Sequence, residues 1–222
     1  MDWQAFRLSL ELAGWTTVIL LPLALLAARA LAWHDFRGQS FVQALIALPL
    51  LLPPTVLGFY LLTAFSSDSW FGRFYEALAG RPLAFTFEGL LLASIIFNIP
   101  FAVQPMQRGF EAVARDLREA AWCSGMSRWQ TFLKIELPLA WPGLLSALVL
   151  TFAHTLGEFG VVLMVGGSIP GETRTIAIAI YDRMQAFDEN AAAAMAALLL
   201  CFSLAAIVLV HMVGLRVGQR RA

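Results

Sequence analysis

His154 and Glu158 are the side chains best placed to do chemistry. They stand four residues apart, so on a helix they share a face, with Thr151 and Thr155 beside them. An imidazole and a carboxylate can work as an acid–base pair. Alternatively, the hydroxyls and His154 can line a path for an anion, which Glu158 would repel. A structural reading stands beside both: Glu158 caps or bridges helices near the outer end of a span, about 20 residues and about 30 Å along the axis from Pro138. Ionisable groups inside an apolar segment are functional candidates by default. Asn98, also inside an apolar run, can bond a neighbouring helix or a substrate. Arg174 can pair with Glu172 or Asp182, or attract an incoming anion.

Several chemistries find no support. There is no Gly-rich phosphate loop ending in Lys-Ser/Thr, so this chain is not expected to bind ATP itself. No Ser-His-Asp or metalloprotease spacing occurs. His34, His154 and His211 are scattered, and Cys123 and Cys201 fall in distant segments without metal-ligand spacing. No metal, cofactor or catalytic residue is nominated, and any energy must come from a partner. An integral-membrane enzyme using His154 and Glu158 is a remote alternative, because no nucleophile or ligand set accompanies the pair.

The elements that must position these residues are apolar and long. Of 222 residues, 59% are hydrophobic and 14% charged, where soluble domains carry about 25% charged residues; the mean hydropathy is +0.74. A formal net charge of zero argues against nucleic acid as a partner; the expected surroundings are membrane lipid. A spanning helix needs about 20 apolar residues, which predicts five spans at roughly 12–33, 41–65, 85–106, 139–164 and 192–215. Met1–Leu10 is a short polar-to-amphipathic entry, and Trp15 and Trp33 are candidate interface anchors. Pro22, Arg29 and the long apolar run read as a retained span, not a cleaved leader. Pro49, Pro53 and Pro54 should kink the second span, and Asn98-Ile99-Pro100 with Gln104-Pro105 should break the third. Ser66–Ala84 is a polar loop, and Ile176–Gln185 a short helix outside the membrane plane or across its face. Without repeats or linkers, residues 1–222 read as one membrane domain.

The longest charged interruption is Arg115–Pro138, RDLREAAWCSGMSRWQTFLKIELP. Val113, Leu117 and Ala121 fall on one helical face, and Glu111–Arg115 and Arg115–Glu119 make i,i+4 pairs on another. Ser124-Gly125 stops this helix, because Gly readily adopts the left-handed conformation after a last turn. Ser127 starts a second helix with Gln130 completing a capping box. Pro138 closes that one and sits in the first turn of the next span. The segment reads as a helix–turn–helix on a membrane surface. With it on the inner side, ten of the fifteen Lys and Arg residues face inward, including Arg216, Arg220 and Arg221. The charge bias predicts N-terminus outside, C-terminus inside.

Glu119-Ala120-Ala121, Gly125 after three further residues, then Ile135-Glu136-Leu137-Pro138 resembles the signature cytoplasmic loop of ABC importer permeases. The resemblance implies an all-α membrane protein of about five transmembrane helices with a cytoplasmic coupling helix–turn–helix over 107–138, the type I, MetI-like permease fold. It implies that Glu119, Ala120, Ala121 and Gly125 dock into a separate ATP-binding subunit. Leu52–Gly58, Leu156–Gly160 and Ile169–Ile176 are similar to molybdate importer permeases, and the Gly-Glu-Phe-Gly stretch also to sulfate permeases. A molybdate importer permease of the bacterial inner membrane is therefore expected, with a sulfate or tungstate importer as alternative. Expected partners are a second copy of the chain, two ATP-binding subunits, and an external molybdate-binding protein over Ser66–Ala84 and 167–190. Candidate path or gate residues are Thr55, Asn98, His154 and Glu158. Where the family pattern leads one to expect Arg before Leu-Gly-Glu-Phe-Gly, this chain has His154; if that position meets the anion, its protonation makes transport pH-sensitive.

Overall fold

The computed structural model describes residues 1–219, with side chains described as far as Val208. The side chain of Arg216, and all of Arg220 and Arg221, counted above on the inner side, lie outside the described residues.

Helix α1 spans Trp3–Trp33, starting well before the expected residue 12. Asp2 caps it, its Oδ1 accepting from the Ala5 N–H at 2.9 Å. Ala5 is buried with Ile176 and Ala179, so the entry segment has a partner and folds as helix. At 31 residues the helix is about 46 Å long, longer than the roughly 30 Å of a bilayer's hydrocarbon core.

The expected second span is two helices, α2 (Gln39–Leu51) and α3 (Pro54–Phe65), meeting at 108°. Neither alone reaches the about 20 residues a crossing needs. Leu52 and Pro53 are extended, with ψ 137° and 136°. A proline pushes the residue before it out of the helical region, and here two follow in succession. Pro49 sits inside α2 without ending it.

The Ser66–Ala84 loop holds a further helix, α4 (Trp70–Ala79), capped by Ser69 and stopped by left-handed Gly80. The third span, α5 (Phe87–Glu111), is unbroken despite Pro100 and Pro105, against the sequence expectation. A helix-interior proline costs about 3 kcal/mol, and α5 recovers this by packing between α1 and α8 (Leu137–Gly157). Preceding α8 are α6 (Arg115–Cys123), α7 (Arg128–Thr131) and a π-helical turn, Phe132–Glu136. The helical path thus runs uninterrupted from Arg128 to Gly157. Pro138 lies in the first turn of α8 but does not close the helix before it, because the Leu137 N–H reaches back to the Phe132 carbonyl in a widened turn. The fourth span is therefore longer at its start than 139–164 and shorter at its end: α8 stops at Gly157 and α9 (Gly160–Gly166) is separate. Then follow α10 (Ile176–Gln185) and α11 (Glu189–Gln219).

The core explains this arrangement. Leu20, Ala24, Ala28 and Leu31 recur every three or four residues on α1 and meet Ala102, Val103, Met106 and Phe110 of α5, with Phe132, Ala140 and Ala147. Within lipid, spans associate through close packing of small residues more than through hydrophobic expulsion. A second cluster joins Leu57, Leu61 and Phe65 of α3 to Val161 and Val165 of α9 and to Ala93 and Phe97 of α5. Helix α9 thus packs against α3 and α5.

Candidate functional site

Two constellations emerge, one at each end of α8. At its start, the chain leaves α5, turns at Ala114 (ψ 135°), and enters α6. Because α6 begins at Arg115, Val113 is not on it. Val113 is buried beside α5, Leu117 is 48% exposed, and Ala121 is buried, so the expected common face does not form. Nor do the expected ion pairs. Glu111 ends α5 and accepts from Gln107 Nε2 at 2.8 Å, and among the described residues Arg115 and Glu119 are not paired.

The turn itself follows the sequence. The Gly125 N–H donates to the Trp122 carbonyl and the Met126 N–H to that of Ala121, both at 3.0 Å, the paired bonds of a Schellman motif. Gly125 has φ +81° and open space around its Cα. The Gln130 N–H donates to Ser127 Oγ at 3.2 Å, and the Ser127 N–H to Gln130 Oε1 at 3.0 Å. Glu119, Ala120 and Gly125 are exposed and Ala121 turns inward. Leu117, Trp122, Trp129 and Leu133 on the same hairpin are also exposed.

Beneath the hairpin lies a group that sequence reading missed. Glu136, fully buried, accepts from Arg29 Nε on α1 at 2.6 Å and from Arg118 Nε on α6 at 2.8 Å. Arg29 Nη2 adds a second bond at 3.3 Å. The Arg118 guanidinium also lies 3.8 Å from the ring centre of Trp33, and that of Arg29 lies 5.0 Å from Phe132. Trp33, expected as an interface anchor, thus meets a cation of the hairpin. Arg29, a lone charge in an apolar run, was the available signal, but Glu136 lay among the charges of Arg115–Pro138, 107 positions away, which hid the pairing.

At the far end of α8, the helix ends at Gly157 and Glu158 is extended, ψ 130°. Glu158 therefore does not share a helical face with His154. It turns toward α5, where its Oε2 accepts from Ser94 Oγ at 3.1 Å and, at 3.5 Å, from Asn98 Nδ2. Asn98 Nδ2 also donates to the Ser94 carbonyl, and His154 Nδ1 donates to Asn98 Oδ1 at 3.1 Å. The imidazole stacks on Phe101, centroids 3.9 Å apart. Asn98, His154 and Glu158 are thus brought together, whereas Thr55 is exposed at the start of α3 and forms no hydrogen bond with them. Among the described residues no Lys or Arg bonds to this cluster. Arg174 pairs with Asp182 at 3.4 Å and not with Glu172.

Replacing Glu158 with Ala removes the acceptor for two buried donors, at a cost of about 1–3 kcal/mol. The purified protein in detergent should melt earlier. Glu158→Gln, which keeps an acceptor without a charge, should melt at or above the parent. Equal melting of Glu158→Ala and the parent would show that the cluster does not hold α8 to α5.

An all-helical bundle with a bent second span and a surface hairpin preceding α8 defines a class. The chain belongs to the family described as binding-protein-dependent transport system inner membrane component, which matches residues 21–219. Among its relatives is the molybdenum transport system permease protein ModB of Azotobacter vinelandii, 46% identical over 187 residues, covering 84% of this chain and 83% of that protein. The ModB protein of Haemophilus influenzae is 38% identical over 185 residues, covering 83% and 81%. A probable sulfate transport system permease protein, cysT of Chlorella vulgaris, is 30% identical over 208 residues, covering 94% and 78%. In fold, the chain is similar to a bacterial ABC transporter involved in import of the acidic polysaccharide alginate, with TM-score 0.79 at 19% identity, covering 96% of this chain and 78% of that one.

Proposed function

We infer that this chain is the transmembrane subunit of an ATP-driven importer of molybdate in a bacterial inner membrane. Two copies form the path, and two separate ATP-binding subunits grip the hairpins from the cytoplasm. An external binding protein delivers the anion to the opposite face, and the chain itself hydrolyses nothing. The observation that carries the reading is the exposed hairpin: Glu119, Ala120 and Gly125 presented beside uncovered Leu117, Trp122, Trp129 and Leu133. Exposed aromatic and apolar side chains on an otherwise polar segment suit docking by a protein partner. ATP binding would draw the hairpins together and open the path outward; hydrolysis would reset it inward.

The higher identity to molybdenum permeases than to sulfate permeases favours molybdate. The test is co-purification followed by uptake: the chain should carry an ATPase with it, and the assembly in vesicles should import labelled molybdate. Sulfate displacing that label as well as molybdate does would shift the substrate to the sulfate alternative, and absence of any ATPase would end the reading.

A further inference from the structure

The buried carboxylate of Glu136 has three features not needed for a simple span. It lies in the π-helical turn at the root of α8, it is fully shielded from solvent, and it binds arginines from two other elements, Arg29 of α1 and Arg118 of α6. Arg118 is clamped further between Trp33 and Trp122, at 3.8 and 5.1 Å from their ring centres. Removing one member of such a group strands a buried charge, so α6, α1 and α8 are tied in their mutual placement at this point. By contrast, α6 is joined to α5 through the three-residue link Ala112–Ala114, whose last residue is extended, and to α7 through the Gly125 turn. Backbone connections on both sides of α6 are bends; besides the packing of buried Ala121, Arg118 ties α6 to the spans through its ion pair with Glu136.

We propose that Glu136 is the fulcrum of coupling: a positioning residue that, through Arg118 and Arg29, makes α1 and the root of α8 follow any displacement of α6. This rests on the docking role of the hairpin inferred above. Displacement of α6 without Glu136 would be absorbed by the bends at Ala114 and Gly125, and ATP would be spent without moving the spans.

The test uses Glu136→Gln, Arg118→Gln and the double variant, in the full chain. With Cys201 replaced by Ser and Val18 by Cys, spin labels on Cys123 of α6 and on position 18 of α1 report the distance between them. The parent should give a narrow distribution and each variant a broad one, in the chain alone. In the complex with its ATPase, anion uptake per ATP hydrolysed should fall about tenfold, an ordinary coupling for residues of one ion-pair network, while hydrolysis persists. The double variant should be no worse than Glu136→Gln, because both act through one link. If Glu136→Gln does not insert, Arg118→Gln, which leaves Arg29 on the carboxylate, is read alone. An unchanged distribution, an unchanged uptake ratio, or a double variant that multiplies the two losses would overturn the proposal. A parent that binds no ATPase would instead defeat the docking reading, with the spin-label distances still deciding whether the ion group holds α6.

Discussion

Gly125→Asp is expected to reduce anion uptake by the assembled transporter about tenfold or more, the factor that some 1.4 kcal/mol of lost coupling represents, while the chain still inserts and the ATPase still turns over. Two physical effects contribute. At φ +81° a side chain costs about 1–2 kcal/mol of backbone strain. The open space around Gly125 is also where a partner backbone would approach, and a carboxylate there would hold it off. Gly125→Asn separates the two, since Asn tolerates the left-handed conformation far better than most residues. If the glycine serves only the turn, Asn retains uptake; if it serves close approach, Asn fails as Asp does. Uptake and ATP hydrolysis measured side by side in vesicles decide, and full uptake by Gly125→Asp would contradict the docking role.

Gly143→Val is expected to prevent the bundle from forming. A Cβ at Gly143 would stand 2.5 Å from the Pro105 carbonyl oxygen and 2.9 Å from the Gly109 Cα. Both obstacles are backbone and cannot swing aside. Overpacking a core typically costs about 1–3 kcal/mol, and here the Cβ alone already exceeds the space before the two γ-methyls are added. Gly143→Ala should lower the melting midpoint in detergent by several degrees, and Gly143→Val should yield no folded protein. Gly14→Ala is the control: nothing lies within 4 Å of its Cβ position, and Ala gains about 0.5–1 kcal/mol over Gly inside a helix. Normal melting of Gly143→Val would mean that α5 and α8 do not cross at this pair.

Local punctuation in the sequence carried over well. The Gly125 stop, the Ser127–Gln130 capping box and the apolar helices that bracket them depend on neighbours within a few residues, and such signals are readable without the fold. Proline was harder. Pro53 and Pro54 turn the chain through 108° whereas Pro100 and Pro105 do not break α5; the difference lies in packing, since α5 is held between α1 and α8 and the α2–α3 junction is exposed. Periodicity misled where a helix ended sooner than its apolar pattern. Glu158 sits four residues past His154 in sequence but beyond the last turn, so its carboxylate finds Ser94 and Asn98 across the bundle. The Arg29–Glu136–Arg118 group joins residues far apart in the chain, which no local pattern reveals. Asn98 illustrates the middle case: its polarity in an apolar run flagged it, and only the fold identified His154 and Glu158 as its neighbours.

The most direct measurement uses Cys123, exposed on α6 beside the Gly125 turn. With Cys201 replaced by Ser, a membrane-impermeant thiol reagent is applied to intact cells and to inverted inner-membrane vesicles, with and without the ATP-binding subunit. Labelling of Cys123 only in inverted vesicles, and its protection when the ATPase is bound, is the predicted result. Labelling from the outside of intact cells, or labelling in inverted vesicles that the ATPase leaves unchanged, would contradict the account.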